Sequence, residues 1–323
     1  MPLSKQDFVS NQEIRWCPGC GDYSILSNLQ KILPELGVAP ENNVFISGIG
    51  CAGRLPYYIN TYGFHTIHGR ALTIATGLKI MRPELTVWVI TGDGDALSIG
   101  GNHLLHALRR NIGINILLFN NRIYGLTKGQ YSPTSQLGHI SNTTPNGSIE
   151  QPLNPAAVAL AAGASFVARG IDIDANNLQT LFKAAAMHKG TSFVEIYQNC
   201  NIFNDGAFSH FADKSLRAQR TVNLLAGKPL TYGNNNELAM SIENMCPTIV
   251  KSQQNNHWIH QPDSFHHAQL LANLDYPDFP IPLGILYQKE RASYEELLRK
   301  SFAKPATNSG LDKLFRDAKT WMN

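Results

Sequence analysis

The chain has no stretch of about 18 consecutive apolar residues, and residues 1–16 lack the apolar core of a signal peptide. Neither a membrane span nor secretion is expected, and the reading is a soluble cytoplasmic protein. Runs of like charge are missing too. The 27 Lys and Arg are scattered among 24 Asp and Glu, for a net charge of +3. Without a basic stripe, nucleic acid is not an expected partner. Cysteine is scarce, with five in 323 residues. In a reducing compartment such cysteines do not staple the fold, so packing, metal binding or catalysis must explain their spacing. No internal repeat or low-complexity tract occurs, and the length allows one large domain or two modest ones.

A further gap is local. No Asp or Glu stands between Glu41 and Glu84, yet Gly48-Ile49-Gly50-Cys51-Ala52-Gly53 spells the G-x-G-x-x-G string of a dinucleotide-binding turn. That turn needs an acid about 20 residues on for the ribose hydroxyls. Its glycines also open a helix, which Pro56 opposes. The dinucleotide reading is therefore rejected. The glycines are expected to let backbone approach something bulky while Cys51 points a thiolate at it.

What is present centres on residues 85–134. The apolar runs 86–91 and 114–119 are too continuous for strands with one wet face and suit a parallel sheet covered on both sides. The first stops at Gly92-Asp93-Gly94 and the second at Asn120-Asn121. Between them a helix is expected, with Asp95 as N-cap, Leu97, Leu104, Leu105 and Leu108 as its apolar positions, and Arg109-Arg110 in its last turn. Neighbouring parallel strands would present Asp93 and Asn121 on one carboxyl edge, where open α/β sheets bind ligands. Mg²⁺ takes oxygen ligands and is commonly shared with phosphates. Asp93, the Asn121 amide oxygen and the Ile123 carbonyl form a candidate set, and a helix start beside Asp93 suits phosphate. His103 and His106 lack a carboxylate to complete a metal site and are read as structural. His68 begins a helix expected over 71–81, whose Leu72, Ala75, Leu78 and Met81 look like core contacts. It is placed against a cofactor, a satisfied loop histidine being the ordinary alternative.

Cys17-Pro18-Gly19-Cys20 leads into a helix with apolar positions Ile25, Leu26, Leu29, Ile32 and Leu33. A thioredoxin-like pair needs a strand directly before it. The residues there are polar, so a metal or cluster knuckle is preferred. Cys51 follows a strand expected over 43–47, and Cys200 follows one over 192–198. Between these lie an Ala-rich helix over 154–163, a strand over 165–169 and a helix over 175–189 capped by Asp174. Cys17, Cys20, Cys51 and Cys200 make four thiolates, the complement of a 4Fe-4S cluster. Structural zinc is the rival, although zinc ribbons offer two C-x-x-C knuckles and here one knuckle joins two lone cysteines. Cys246 is read as an ordinary thiol. Beyond Leu216 the composition turns to Asn, Gln and Pro, and an irregular segment is expected with short helices over 265–274 and 293–302. The division is thus 1–215, an α/β domain with a mostly parallel sheet and helices on both faces, and 216–323, an extension packing on the core or a partner.

Gly92-Asp93-Gly94 followed after 25 residues by Asn120-Asn121 resembles the thiamine diphosphate signature of thiamine-dependent enzymes. The likeness extends further. WCPGCGDYSIL (16–26), GIGCAGRLPYY (48–58), HTIHGRALTIATGLK (65–79), GDGDALSIGGNHLLHALRRN (92–111), NNRIYGLTKGQYSPTS (120–135) and QNCNIFND (198–205) resemble the β subunit of the 2-oxoacid:ferredoxin oxidoreductases. The resemblance covers about 16–208, and within that family it is nearest the 2-oxoglutarate type, partly because the C-terminal third is similar to the extension found there.

This resemblance implies a thiamine diphosphate-binding fold with Mg²⁺ on Asp93, Asn121 and Ile123. The cofactor would be held by Gly50, Cys51, His68, Gly92, Asp93, Gly94, Asn121, Ile123, Leu126 and Thr127. It assigns Cys17, Cys20, Cys51 and Cys200 to a proximal 4Fe-4S cluster. It also implies oxidative decarboxylation of 2-oxoglutarate, with CoA taking the acyl group and ferredoxin the electrons. His68, Arg54 and Lys128 are the candidate catalytic groups near substrate carboxylates or phosphates; Arg54 and Lys128 have a solvated surface charge as their alternative. Thiamine enzymes set a glutamate against the aminopyrimidine, and the single phosphate-binding unit has no second domain to supply it. An α subunit is the expected partner, without which the chain is expected to be inactive. The rivals are a pyruvate or broad 2-oxoacid version of the enzyme, a cluster-free thiamine decarboxylase or synthase, and a zinc-stabilised nucleotide-binding scaffold without redox activity.

Overall fold

Runs of β-branched and aromatic residues between Gly, Asn and Pro turns form β1 (Asn43–Ser47), β2 (Tyr62–His65), β3 (Thr86–Gly92), β4 (Ile114–Asn120), β5 (Phe166–Ile171) and β6 (Ser192–Tyr197). The structure, a computed structural model, describes residues 2–254 and 256–302 together with Lys313, Phe315 and Arg316. The first six strands pair in parallel, and β3 lies directly against β4, as their apolar runs imply. Alternate residues of each strand point to opposite layers. Val44, Ile46, Val87, Val89, Ile116 and Leu118 pack with helices Ala71–Met81, Gly101–Arg110 and Pro155–Ala161. Phe45, Trp88, Ile90, Leu117, Phe119 and Ile196 pack with helices Asp22–Ile32 and Ala175–Met187. Both faces are thus covered, and chemistry is confined to the strand ends.

The segment beyond Leu216 is more regular than its composition implies. It contains β7 (Thr221–Leu224), β8 (Thr231–Tyr232), β9 (Leu238–Glu243), β10 (Cys246–Lys251) and β11 (Ile281–Gln288). β11 joins the main sheet antiparallel to β5, and β7 completes an eight-stranded order β2-β1-β3-β4-β6-β5-β11-β7. β8, β9 and β10 form a separate antiparallel sheet. Helices Phe265–Ala272 and Tyr294–Phe302 form close to their expected positions. The strands were invisible in composition because their pairing partners are remote, and only the pairing compensates for weak local propensity.

Three local expectations are corrected. The helix between β3 and β4 is split into Asp93–Leu97 and Gly101–Arg110, with the break over 98–100, where Ser98 leaves helical geometry. Leu105 and Met81 are 41% and 77% exposed and do not join the core. Pro56 does not oppose helix, because it lies in the first turn of Leu55–Tyr58, where its missing N–H would be unpaired anyway. Among the described residues no helix is long and apolar enough to cross a membrane.

The C-terminal segment is tied to the sheet through His260, which is 1% exposed and shares a 2.8 Å hydrogen bond between Nε2 and the Ile285 carbonyl of β11. Burial, the largest cause, lowers its pKa from 6.5, with the nearby His267 acting in the same direction and the Ile285 carbonyl against it. A depressed folded-state pKa means that the unfolded chain takes up the proton first, so this contribution is present above pH ~6.5 and is lost as pH falls below it. The buried Asp22, Asp93 and Asp172, whose pKa values are raised, act in the opposite sense. The His260 effect therefore shows as a difference between variants. His260→Leu should flatten the decline of the urea midpoint below that pH relative to wild type, and identical declines would refute the assignment.

Candidate functional site

β3 ends at Gly92, and the next residue begins a one-turn helix that carries Asp93 into the interior, 2% exposed. Its Oδ2 accepts hydrogen bonds from the Ser132 hydroxyl at 2.5 Å and the Thr134 hydroxyl at 2.6 Å. Burial raises the Asp93 pKa, and these hydroxyls oppose that rise. Asn121 follows β4, and its Oδ1 accepts the Ile123 N–H at 3.2 Å, closing an Asx turn. A cavity of about 190 Å³ opens between the two strand ends. Gly92, Asp93 and Gly94 form one wall, Asn121, Ile123, Leu126 and Thr127 another, and Gly50, Cys51 and His68 the third. The ten residues expected around a cofactor therefore meet at one place.

Backbone comes close to this cavity for a visible reason. A Cβ on Gly94 would overlap the Tyr124 ring, whose hydroxyl donates to the Gly94 carbonyl at 3.0 Å. Gly50 has φ +121° and nothing within 4 Å of where a Cβ would sit. The result is a cradle of polar backbone beside a buried carboxylate. A divalent cation with a phosphate group fits this donor set, because Mg²⁺ takes oxygen ligands from protein and phosphate together.

Asp95 is not the N-cap expected of it. It lies within the helix Asp93–Leu97, 3% exposed, with its carboxylate turned across the strand ends. Oδ1 accepts N–H bonds from Ile49 at 3.0 Å and Gly69 at 2.8 Å and lies 2.6 Å from His68 Nδ1. Oδ2 accepts the Thr91 hydroxyl at 2.7 Å. Gly48 is small because a Cβ there would overlap this carboxylate. The partnership assigns the proton of neutral His68 to Nδ1 and leaves Nε2 with a lone pair. Sequence reasoning missed Asp95 as well as Ser132, Thr134 and Tyr124; the doubled acid in Gly92–Asp95 and the hydroxyl run in YSPTS were the available signals.

A second cavity, about 220 Å³, is lined by Cys17, Cys20, Cys51 and Cys200. The turn carrying Cys17 and Cys20 is tied to the loop after β6, since Gly21 N–H donates to the Asn199 carbonyl at 3.2 Å and Asn201 Nδ2 to the Pro18 carbonyl at 2.6 Å. Trp16 Nε1 donates to the Cys51 carbonyl at 2.7 Å. A Cβ on Gly125 would stand 3.5 Å from Cys200 Sγ and 3.7 Å from Cys51 Sγ. Among the described residues no three His, Cys, Asp or Glu side chains gather closely enough to hold a metal ion. Four thiols around one cavity have the chemistry to ligate either a tetrahedral zinc or a polynuclear cluster with a sulfur ligand at each iron. Burial, followed by the Asp22 charge, pushes the Cys51 thiol up to about 12 and raises Cys20 as well. Ligation would have to displace these protons. Asp22 is 1% exposed, and burial, opposed by a hydrogen bond with the Cys20 thiol, lifts it to about 7.

Of the three candidate catalytic groups, only His68 lines the first cavity; Arg54 and Lys128 line the second. The cavities share Cys51, Asn121, Gly125 and Leu126 as a common wall. Lys128 stands at φ +77° in the turn of the 124–130 loop, and Arg54 Nη1 donates to the Arg15 carbonyl at 3.2 Å. His103 and His106 enter neither cavity.

Two adjoining cavities at the carboxyl end of a largely parallel sheet, one phosphate-like and one thiol-lined, define a cofactor-binding oxidoreductase subunit of the thiamine type. The family described as "Thiamine pyrophosphate enzyme, C-terminal TPP binding domain" matches residues 48–196. The chain is 47% identical over 331 residues to the 2-oxoglutarate oxidoreductase subunit KorB of Mycobacterium tuberculosis, covering 99% of this chain and 88% of that one. It is 37% identical over 287 residues to a 2-oxoacid:ferredoxin oxidoreductase subunit beta of Sulfolobus, covering 88% and 85%. A solved 2-oxoglutarate:ferredoxin oxidoreductase from Magnetococcus marinus, with 2-oxoglutarate, coenzyme A and succinyl-CoA bound, superposes with a TM-score of 0.80 at 31% identity over 98% of this chain and 97% of that one. The chain belongs to the β subunits of the 2-oxoacid:ferredoxin oxidoreductases.

Asp95→Asn tests the hub at the strand ends. It places a donor against groups that donate, and should lower stability by about 1–3 kcal/mol in urea unfolding while shifting the His68 imidazole resonances. Unaltered His68 resonances would show that Asp95 does not hold the ring.

Proposed function

We propose that this chain is the cofactor-bearing β subunit of an enzyme that converts 2-oxoglutarate, CoA and two oxidised ferredoxins into succinyl-CoA, CO₂, two reduced ferredoxins and a proton. The observation that carries the reading is the wall common to the phosphate-like cavity and the four-thiol cavity, an arrangement that suits decarboxylation beside an electron acceptor. The 2-oxoglutarate relatives at 47% and 31% identity support the choice of substrate.

When bound, thiamine diphosphate supplies the nucleophilic carbon and electron sink for decarboxylation, and a 4Fe-4S cluster accepts electrons singly. The chain's own groups do the rest. Asp93, the Asn121 amide oxygen and the Ile123 carbonyl hold Mg²⁺, and Gly92, Gly94, Leu126 and Thr127 present backbone and hydroxyl groups to the diphosphate. Gly50 and Cys51 close the cradle from the opposite side. His68, with Nδ1 committed to Asp95, offers Nε2 as an acceptor. Arg54 and Lys128, beside the shared wall, bind substrate carboxylate. Cys17, Cys20, Cys51 and Cys200 ligate the cluster. An α subunit brings the glutamate that faces the aminopyrimidine, and ferredoxin receives the electrons. In this reading residues 1–215 carry both cofactors, the described residues beyond 216 brace them, and the complex works in the cytoplasm.

Anaerobic purification with the α subunit tests the assignment. The complex should be brown, contain about four iron atoms per cluster-bearing chain, and reduce viologen faster with 2-oxoglutarate than with pyruvate. A colourless protein holding one zinc would overturn the redox reading, and a preference for pyruvate would overturn the substrate. Cys200→Ser should remove most of the iron.

A further inference from the structure

Asp93 reaches the phosphate-like cavity from the end of β3 and Asn121 from the end of β4. A cation held by both needs the two strand ends to keep a fixed offset, yet the ladder between β3 and β4 stops at Gly92 and Phe119, before either residue. Side chains must supply the remaining constraint. The Thr134 hydroxyl lies 2.6 Å from Asp93 Oδ2 and 2.9 Å from Oδ1 of Asn120, the residue that precedes Asn121. Its single proton serves one of these acceptors at a time, and Ser132, 2.5 Å from Asp93 Oδ2, covers the carboxylate when Thr134 turns to Asn120.

Asn120 cannot simply rotate away. Its Nδ2 donates to Glu195 Oε1 at 2.8 Å, and its Oδ1 accepts the Arg122 N–H at 3.3 Å. Glu195 Oε2 accepts from Arg169 Nε at 2.9 Å, and Arg169 Nη2 reaches Asn154 Oδ1 at 3.2 Å and the Ala272 carbonyl at 3.3 Å. Ser132, Thr134, Asn120, Glu195 and Arg169 are each at most 2% exposed. Such a chain is rigid because every buried polar group in it would be costly to leave unpaired. Both hydroxyls address Oδ2, so Asp93 Oδ1 receives no side-chain hydrogen bond among the described residues.

We propose that Thr134 is a positioning residue for the divalent cation: its hydroxyl, seated between Asp93 Oδ2 and the braced Asn120 side chain, fixes the Asp93 carboxylate and leaves Oδ1 for the ion it shares with Asn121. The inference rests on the Mg²⁺ and thiamine diphosphate reading of this cavity. Partners of metal ligands typically contribute 10–100-fold in metal affinity.

The test uses the full chain co-purified with its partner subunit and freed of cofactor, titrated with Mg²⁺ at saturating thiamine diphosphate and followed by tryptophan fluorescence. Thr134→Val should raise the half-saturating Mg²⁺ concentration about 10–100-fold. Turnover at saturating Mg²⁺ should stay near wild type, and Thr134→Ser should restore the affinity. Thr134→Ala removes the hydroxyl without pressing a methyl group on Asp93 and carries the same expectation if the valine variant loses its fold. Wild-type Mg²⁺ affinity in a folded hydroxyl-less variant would overturn the positioning role. Asp93→Asn in the same titration separates the two levels: if it too binds Mg²⁺ like wild type, the cavity is not the cation site and the parent reading falls with the proposal.

Discussion

The carboxylate of Asp95 is the constraint on which the geometry of the strand ends depends. One buried carboxyl group gathers partners from the 48–50 turn, the 68–69 turn and the end of β3. Each of these segments would otherwise be a loop whose position is set only by its ends. Charge-assisted hydrogen bonds shorten such contacts and make their loss expensive. The cost of burying the charge is met by four partners rather than by one opposite charge. A hub of this kind makes the cradle a property of the folded chain and not of its ligand.

The neighbouring Asp93 follows a different physical rule. Its side-chain partners are the Ser132 and Thr134 hydroxyls, and burial raises its pKa against these and the nearby backbone N–H groups. A carboxylate in that condition gains from a cation. Cys20 and Cys51 share the condition, since burial and the Asp22 charge raise both thiols. The C-terminal segment enters this scheme through Ala272, whose carbonyl receives Asn154 and Arg169 and so anchors the buried ion pair behind the phosphate-like cavity.

Legibility from sequence divides along the range of the interaction. β3, β4 and the helices Asp22–Ile32 and Ala71–Met81 are encoded by local periodicity, and each forms within a residue or two of its expected span. Asp93 and Asn121 were recognisable because a parallel strand delivers the residue after its last apolar position to the carboxyl edge whatever the rest of the chain does. Asp95 was misread because the capping rule looks only at its own helix, while its four partners come from residues 49, 68, 69 and 91. The strands beyond Leu216 were missed for the same reason, their ladders being formed with remote segments.

Composition and pattern were thus sufficient for the α/β class, the central strand-helix-strand unit and the four thiols delivered by loops, since all of these follow from residue spacing within a few turns of chain. Folding in three dimensions decided that the thiols line one cavity, that this cavity shares a wall with the phosphate-like one, that Arg54 and Lys128 face the thiols and not His68, and that Asp95 organises the strand ends. Those outcomes depend on hydrogen bonds and packing between residues far apart in sequence, whose partners no local periodicity names.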